Sequence, residues 1–419
     1  MRLLYTILYY LALPAILIRL FVKSRHDKAY RKNILQRFGF APHITGSSVW
    51  IHAVSLGESI IANTLIDRLL ALDPSLTIVV TTTTSTGAHA IQSRSPLKNV
   101  IHSYFPYDLP DALHRFIKRT RPQQMILIET ELWPNLLHTL KRHNIPLVIA
   151  NGRLSKKTAA YYQKISCLWR PLLSETTICA ISNENARRFK NIGANSDHLH
   201  VIGNVKFDRA PDTSAIERGQ AFKRQHKGRF IWIAASTHEG EESIVLQAHS
   251  MIRKKHKDAL LILVPRHPER FDTVYRQCQT HHSTQRRSKN EAVNTNTSIY
   301  LGDTLGELPV LYASADIAFV GASLVPIGGH NLIEPAQLSL PIITGPYLDN
   351  CREIAEPLEA ASALTITQDA NTLAMALLDF FQHPEKIAQQ GAEALSISEK
   401  DRGALDRLMA HIKMPNPHQ

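Results

Sequence analysis

A chain of 419 residues is too long for a single hydrophobic core and predicts two or three domains, two being the simpler expectation. Hydrophobic residues make up 44% and charged residues 20%, the balance of a folded protein, which excludes intrinsic disorder. The formal charge of +12 is concentrated at one end: residues 1–40 carry eight Lys or Arg (Arg2, Arg19, Lys23, Arg25, Lys28, Arg31, Lys32, Arg37) against the single acid Asp27.

The first element, residues 3–22 (LLYTILYYLALPAILIRLFV), has about the length needed to cross a bilayer, although Pro14 and Arg19 interrupt it. Tyr5, Tyr9, Tyr10 and Phe21 suit the membrane interface, and the basic cluster that follows would keep the rest of the chain on the cytoplasmic side. A cleaved signal peptide fits less well, because a basic segment follows where a small-residue cleavage site belongs. The segment therefore reads as a membrane anchor, spanning or lying in one leaflet, with an amphipathic helix packed on the protein body as the alternative. A basic cluster beside an apolar segment points to an anionic membrane surface and away from nucleic acid, for which there is no recognition motif. The four cysteines, Cys167, Cys179, Cys278 and Cys351, are too widely spaced for a CxxC pair or a disulfide framework and read as reduced, packed thiols.

After Pro42 apolar runs and helical periodicity alternate. Strands are expected at 48–54, 76–83, 99–104, 124–129 and 145–150, with helices at 58–72 and around 133–143, and the last strands of this half at 178–182 and 199–203. Such alternation implies right-handed crossovers and a parallel sheet covered on both faces, whose ligands sit at the carboxyl ends of strands. Motifs that directly follow strands therefore carry most weight. The first is Ser55-Leu56-Gly57-Glu58, which places Glu58 at a helix N-terminus, where the dipole favours an ionised carboxylate; it is either a base or a cap. The second is Glu129-Thr130-Glu131-Leu132-Trp133-Pro134-Asn135, where two acids end a strand and Pro134 opens a helix. The third, Thr81 to Thr86 with Gly87, offers hydroxyls for a sugar or phosphate, or for a helix cap. Gly203-Asn204-Val205-Lys206-Phe207-Asp208 then leads to a polar stretch at 209–215 that reads as an interdomain linker, leaving Lys206 at the junction.

The second half repeats the pattern. A strand at 230–235 runs into Ser236-Thr237-His238-Glu239-Gly240-Glu241-Glu242, where Ser236 or Thr237 would cap a helix and Glu239 or Glu241 reach back. A strand at 259–264 ends in Pro265-Arg266-His267-Pro268-Glu269-Arg270, whose arginines suit phosphate. Residues 279–296 are hydrophilic and aperiodic and read as an exposed insertion of little functional meaning. Gly302-Asp303-Thr304-Leu305-Gly306-Glu307-Leu308 follows a strand at 298–301, and residues 371–412 are expected to be helical and to pack back on the first domain. Between them lies residues 321–346, GASLVPIGGHNLIEPAQLSLPIITGP, after a strand at 315–320. Its glycines let backbone approach a ligand, the helix that follows points N–H groups at an anion, and Asn331 and Glu334 share a face on which Glu334 can accept both hydroxyls of a ribose. We read this stretch as a nucleotide-sugar site; a capped loop between helix and strand is the plainer alternative.

A GxxxxGK[ST] loop, an HExxH motif, Cys/His sets at metal-ligand spacing and a GxSxG elbow are all missing from the sequence. What is left is chemistry by backbone, carboxylates and basic side chains, with neither metal nor cofactor called for. Taken in order, SLGE at 55–58, ETELWPN at 129–135, GNVKFD at 203–208, STHEGEE at 236–242, PRHPER at 265–270, GDTLGEL at 302–308 and GGHNLIEP at 328–335 resemble the bacterial lipid A Kdo transferases, the 3-deoxy-D-manno-octulosonic acid transferases, over nearly the whole chain. The resemblance implies a GT-B glycosyltransferase fold, two Rossmann-like α/β domains facing a central cleft, behind an N-terminal membrane-associated helix. On this sequence the parts fall at 1–25 (anchor), 26–207 (acceptor-side domain), 208–216 (linker), 217–395 (CMP-Kdo-binding domain) and 396–419 (C-terminal helix and tail).

The resemblance also implies transfer of Kdo from CMP-Kdo to lipid IV(A) at the cytoplasmic face of the inner membrane. By motif match Glu58 is the proton acceptor, and Glu129 and Lys206 are the transition-state stabilisers. CMP would be bound by Pro265 and Arg266, by Gly306, Glu307 and Leu308, and by Asn331, Leu332, Ile333 and Glu334. An acid beside an anionic donor is unfavourable unless it orients a cation, so Glu129 is expected to pair with Lys206. Another nucleotide-sugar transferase or epimerase on the same fold, or an inactive membrane scaffold, are the alternatives.

Overall fold

The computed structural model describes residues 1–26, 33–93, 98–208 and 212–414; Lys28, Arg31 and Lys32 of the basic cluster, and residues 209–211 of the expected linker, lie outside them. The chain forms two compact units, Met1–Arg209 with Asp401–Gln419, and Ala210–Lys400.

The first unit holds a seven-stranded parallel sheet of β1 (Ser48–His52), β2 (Ile78–Thr82), β3 (Val100–Tyr104), β4 (Pro122–Ile128), β5 (Leu147–Gly152), β6 (Thr177–Ala180) and β7 (Leu199–Val201), in the order β3-β2-β1-β4-β5-β6-β7. Helices cover both faces, so β1, β2 and β5 are buried at every position, with apolar centres and polar residues such as His52, Thr81, Thr82 and Asn151 toward their carboxyl ends. Trp50 anchors one face: its ring lies 4.5 Å from Phe116 and its N–H donates to Thr81 Oγ1 at 2.8 Å. The strand order reverses between β1 and β4, and the crevice outside their carboxyl ends is where such a sheet binds its ligand.

The second unit repeats the design with β8 (Ile231–Thr237), β9 (Leu260–Pro265), β10 (Thr284–Arg286), β11 (Ile299–Leu301), β12 (Ile317–Val320), β13 (Ile342–Thr344) and β14 (Leu364–Ile366), all parallel, in the order β10-β11-β9-β8-β12-β13-β14. Its reversal falls between β8 and β12. The 236–242 motif lies at the end of β8 and the 321–346 stretch follows β12, so this switch point brings together two motifs far apart in sequence.

Three sequence expectations change. Residues 279–296 are not a bare insertion: Thr284–Arg286 form the edge strand β10, while Arg286 and Arg287 reach into the domain. A polar strand of three residues carries no periodicity to betray it. The second domain ends at Lys400 and not at 395, because the helix Pro384–Lys400 is continuous, and a Cβ on its Gly391 would lie 2.1 Å from Ser339 O. The linker is shorter than 208–216. Asp208 accepts hydrogen bonds from Gly403 N at 2.5 Å and from Leu405 N, and Asp212 already caps the helix Thr213–Gln225. Residues 401–414 thus return to the first unit, where Ala404, Leu408 and Ile412 join its core.

The N-terminal helix Arg2–His26 has a 21-residue stretch, Arg2–Val22, long and apolar enough to cross a membrane. Its two faces differ. One docks on the first unit: Arg2 and Thr6 donate to Asn135 Oδ1 at 3.1 and 2.9 Å, and Tyr10 Oη donates to Asp111 at 2.7 Å. The other leaves Leu3, Leu4, Ile7, Leu8, Leu11 and Ile18 about half or more exposed.

Candidate active site

Glu58 stands in the first turn of the helix Leu56–Leu72, directly after β1. Ser55 and Glu58 form a reciprocal cap: Ser55 Oγ accepts from Glu58 N at 3.5 Å and donates to Glu58 Oε1 at 2.9 Å, while Val54 N donates to Oε2 at 2.6 Å. The cap reading holds, and the cap fixes the carboxylate at the switch point. The dipole alone would favour ionisation, but burial dominates and raises the proton affinity of Glu58, with the charge of Glu129 adding to it and Val54 N–H, Ser55 and Lys206 opposing. A carboxylate so raised is a stronger base than one in water.

Glu129 comes immediately after β4, the neighbour of β1. Its φ of +62° lies in the left-handed region that non-glycine residues rarely occupy. Its N–H donates to Ala150 O at 2.8 Å and its Oε1 accepts from Lys206 Nζ at 2.9 Å, the side chains being 20% and 27% exposed. Lys206 is held from behind. Val205 N donates to Asn151 Oδ1 at 2.9 Å, Asn204 N donates to Asp401 Oδ2 at 3.1 Å, and Gly203 takes a φ of +83° to make the turn. The expected Glu129–Lys206 pairing is thus formed, and the C-terminal segment helps to form it.

Glu131 was not among the expected site residues, yet it completes the acidic group. Burial first, then the charges of Glu58 and Glu129, push its carboxyl up to about 7. From the same motif, Asn135 is fully buried in the first turn of the helix Pro134–Arg142; its N–H and that of Leu136 donate to Asp108 at 3.0 and 2.7 Å. The motif that supplies Glu129 at one end therefore seats the N-terminal helix at the other.

In the second unit Glu241 is the organiser. Fully buried, it accepts hydrogen bonds from the backbone N–H groups of His238, Ala322, Ser323 and Leu324 at 2.9, 2.7, 2.9 and 2.9 Å, tying the loop after β8 to the loop after β12. Glu242, also buried, pairs with both Arg270 Nη1 and Nη2 at 2.6 and 3.0 Å and accepts from Thr237 Oγ1 at 3.0 Å. Pro265 ends β9 and the Arg266 N–H donates to Thr237 O at 3.0 Å, which leaves the Arg266 side chain exposed.

Glu307 is paired within its own unit. Arg287 binds both its oxygens at 3.0 and 2.8 Å and Thr304 Oγ1 donates at 2.6 Å; together they hold the carboxyl below its ordinary range. Gly306, at φ +81°, and Leu308, at the start of the helix Leu308–Ala313, instead present backbone. Arg287 lay hidden in the polar run at 279–296.

The helix within the 321–346 stretch is short, only Ile333–Gln337, and Ser339 at φ +56° and Pro341 follow its end. Asn331 precedes it and does not share its face: Asn331 Oδ1 accepts from Ile333 N at 3.0 Å and Nδ2 donates to Glu334 Oε1 at 3.3 Å. Leu332 and Ile333 are buried, so of this group Asn331 and Glu334 carry the polar atoms a ligand would meet.

A family model described as 3-deoxy-D-manno-octulosonic-acid transferase (kdotransferase) matches residues 32–209. The chain is 39% identical over 422 residues, 98% of each chain, to the 3-deoxy-D-manno-octulosonic acid transferase of Haemophilus influenzae. It is 33% identical over 383 residues to that of Bordetella pertussis, covering 88% of this chain and 87% of the relative. Among solved structures, a glycosyltransferase from Rickettsia africae superposes with a TM-score of 0.55 at 14% identity, over 88% of this chain and 98% of that one, a likeness of fold.

Proposed function

Because the chain belongs to the 3-deoxy-D-manno-octulosonic acid (Kdo) transferase family, and is a GT-B glycosyltransferase that transfers Kdo in lipopolysaccharide biosynthesis, we propose that its donor is CMP-Kdo, its acceptor lipid IV(A) and its base Glu58. One observation carries the assignment of the base: Glu58 and Glu129 follow the two strands that flank the switch point of the first unit, and Lys206 is paired to Glu129 beside them.

In this reading the acceptor hydroxyl attacks the anomeric carbon of Kdo, Glu58 takes the hydroxyl proton, and the bond to the CMP phosphate oxygen breaks with its electron pair leaving on CMP. Lys206 offsets the negative charge of the leaving phosphate and of the Kdo carboxylate, and Glu129 fixes the position of its ammonium group. In the second unit Asn331 and Glu334 would take the ribose, and Pro265, Arg266 and the backbone of Gly306 and Leu308 the rest of the nucleotide. Pairing of Glu307 with Arg287 supports this assignment, because an unpaired carboxylate there would repel an anionic donor.

The exposed apolar side chains of the N-terminal helix support attachment at the cytoplasmic face of the inner membrane, where the acyl chains of the acceptor lie. Incubation with CMP-Kdo and lipid IV(A), followed by counting sugars on the product by mass, tests the whole assignment. Glu58→Ala should abolish the mass gain while CMP binding persists. A variant that still adds Kdo removes Glu58 from the role of base.

A further inference from the structure

Three histidines from three separate motifs meet in the second unit. His238 follows β8, His267 follows β9, and His330 lies in the turn after β12. The His238 and His330 rings stack with centroids 5.1 Å apart and their Nε2 atoms are 2.9 Å apart, while His267 meets His238 edge-on at 4.9 Å. A hydrogen bond between two ring nitrogens holds one hydrogen. In the neutral pair one outer Nδ1 is therefore a donor and the other an acceptor; one added proton turns both outer atoms into N–H donors and gives the pair a positive charge.

The acids nearby are already committed. Glu241 is closed by four backbone N–H groups, Glu242 by Arg270 and Thr237, and Glu269 is an exposed residue 3.8 Å from His267. The other charges that face the pair are cationic, Arg266 and Arg270. Burial first, then His238, Arg266 and His267, push His330 down to about 4; burial and His267 also lower His238, against Glu242. The His238–His330 pair is thus held toward its neutral form, with the side chains of Arg266 and Arg270 facing it. Among the described residues no group of three His, Cys, Asp or Glu is disposed to hold a metal ion.

We infer that the His238–His330 pair, with His267 and Arg266 beside it, is the seat of the phosphate of the nucleotide and takes up a proton as that phosphate binds. His267 adjoins Arg266 in sequence and His330 adjoins Asn331, so the pair joins the two segments assigned to CMP, and the inference rests on that assignment. The sign follows from linkage: the bound anion raises the affinity of the pair for a proton, so the contribution to binding is present at lower pH and is lost as pH rises through the raised value.

The test is calorimetry of the full-length protein with CMP at pH 7 in buffers of different ionisation enthalpy, with cytidine as the ligand lacking phosphate. Wild type should take up about one proton with CMP and none with cytidine. His330→Gln and His238→Gln, which keep an amide but cannot titrate, should lower that uptake to near zero and weaken CMP about tenfold or more, with cytidine binding unchanged as proof that they fold. CMP binding without proton uptake, or variants that bind CMP as wild type does, overturns the inference and leaves the nucleotide site standing. Wild type that binds no CMP overturns both. Should the variants lose cytidine as well, the wild-type proton count decides alone.

Discussion

The pairing of Glu129 with Lys206 makes a quantitative prediction. The 2.9 Å pair has side chains 20% and 27% exposed, which places it between a surface pair of ~0–1 kcal/mol and a buried pair that costs ~3–5 kcal/mol to break. Replacing Lys206 by Met removes the charge that the proposed mechanism sets against the leaving group and should lower kcat about 10²–10³-fold. Glu129→Gln leaves that charge in place but unfixed, and should cost about 1–3 kcal/mol, roughly fivefold to 160-fold in kcat/KM. If Glu129 acts only through Lys206, the double variant is hardly worse than Lys206→Met, and the cycle returns a coupling of about 1–3 kcal/mol. A second readout separates positioning from mere packing. The charge of Glu129 helps to raise Glu58, so Glu129→Gln should lower Glu58 and move the acid limb of the kcat/KM–pH profile to lower pH, the limb being where the base protonates as pH falls. Additive effects within about 0.5 kcal/mol, with an unmoved acid limb, would refute the pairing as a catalytic device.

Three further outcomes are expected. Glu241→Gln offers one acceptor oxygen where four buried N–H groups are aimed, with an amide NH2 among them. It should destabilise the second unit by about 3–5 kcal/mol, seen as a lower melting temperature and loss of CMP binding. Arg287→Met frees the Glu307 carboxylate beside the proposed nucleotide site and should raise KM for CMP-Kdo about tenfold while stability changes by less than about 1 kcal/mol. Leu4→Ser with Leu8→Ser and Leu11→Ser alters only exposed positions of the N-terminal helix and spares Arg2, Thr6 and Tyr10; flotation assays should show vesicle binding lost, each leucine contributing roughly 1.5–3 kcal/mol when buried in lipid, with CMP binding intact. Retained vesicle binding would mean that this face is not the membrane contact.

The central strands were legible because a parallel strand covered on both faces must be apolar throughout, as Ile317–Val320 and Leu260–Pro265 are. Thr284–Arg286 was not, because an edge strand of three polar residues carries neither an apolar run nor alternation. Of the site, the residues that follow strands could be found from position alone, which is how Glu58 and Glu129 came forward. Contacts across the chain could not: His238 and His330 are 92 residues apart, and Arg287 finds Glu307 from a segment with no pattern of its own. The docking of the N-terminal helix was open only as an alternative to membrane attachment, since an apolar stretch of that length looks the same whether one face meets Asn135 or all of it meets lipid.

One backbone feature recurs in each unit beside its candidate site. Glu129, Asn151, Ser236 and Ala322 are non-glycine residues with φ between +54° and +62°, and each sits at the carboxyl end of a strand, β4, β5, β8 and β12. Such conformations cost about 1–3 kcal/mol apiece and persist only where surrounding contacts hold them. Here the holding contacts belong to the site itself. Glu129 is held by Ala150 and Lys206, and Asn151 by its bond from Val205, next to Lys206. Ala322 is held by Glu241 through its N–H, and by the N–H groups of Gly328 and Gly329, which donate to its carbonyl at 3.1 and 2.7 Å. Ser236 is pressed against Gly321, where a Cβ would come within 2.6 Å of Ser236 O. The chain thus leaves its strands at a sharp angle at the strand ends beside each switch point, and the same bonds that stabilise the turn place the carboxylate, the ammonium and the glycine loop where a ligand would lie.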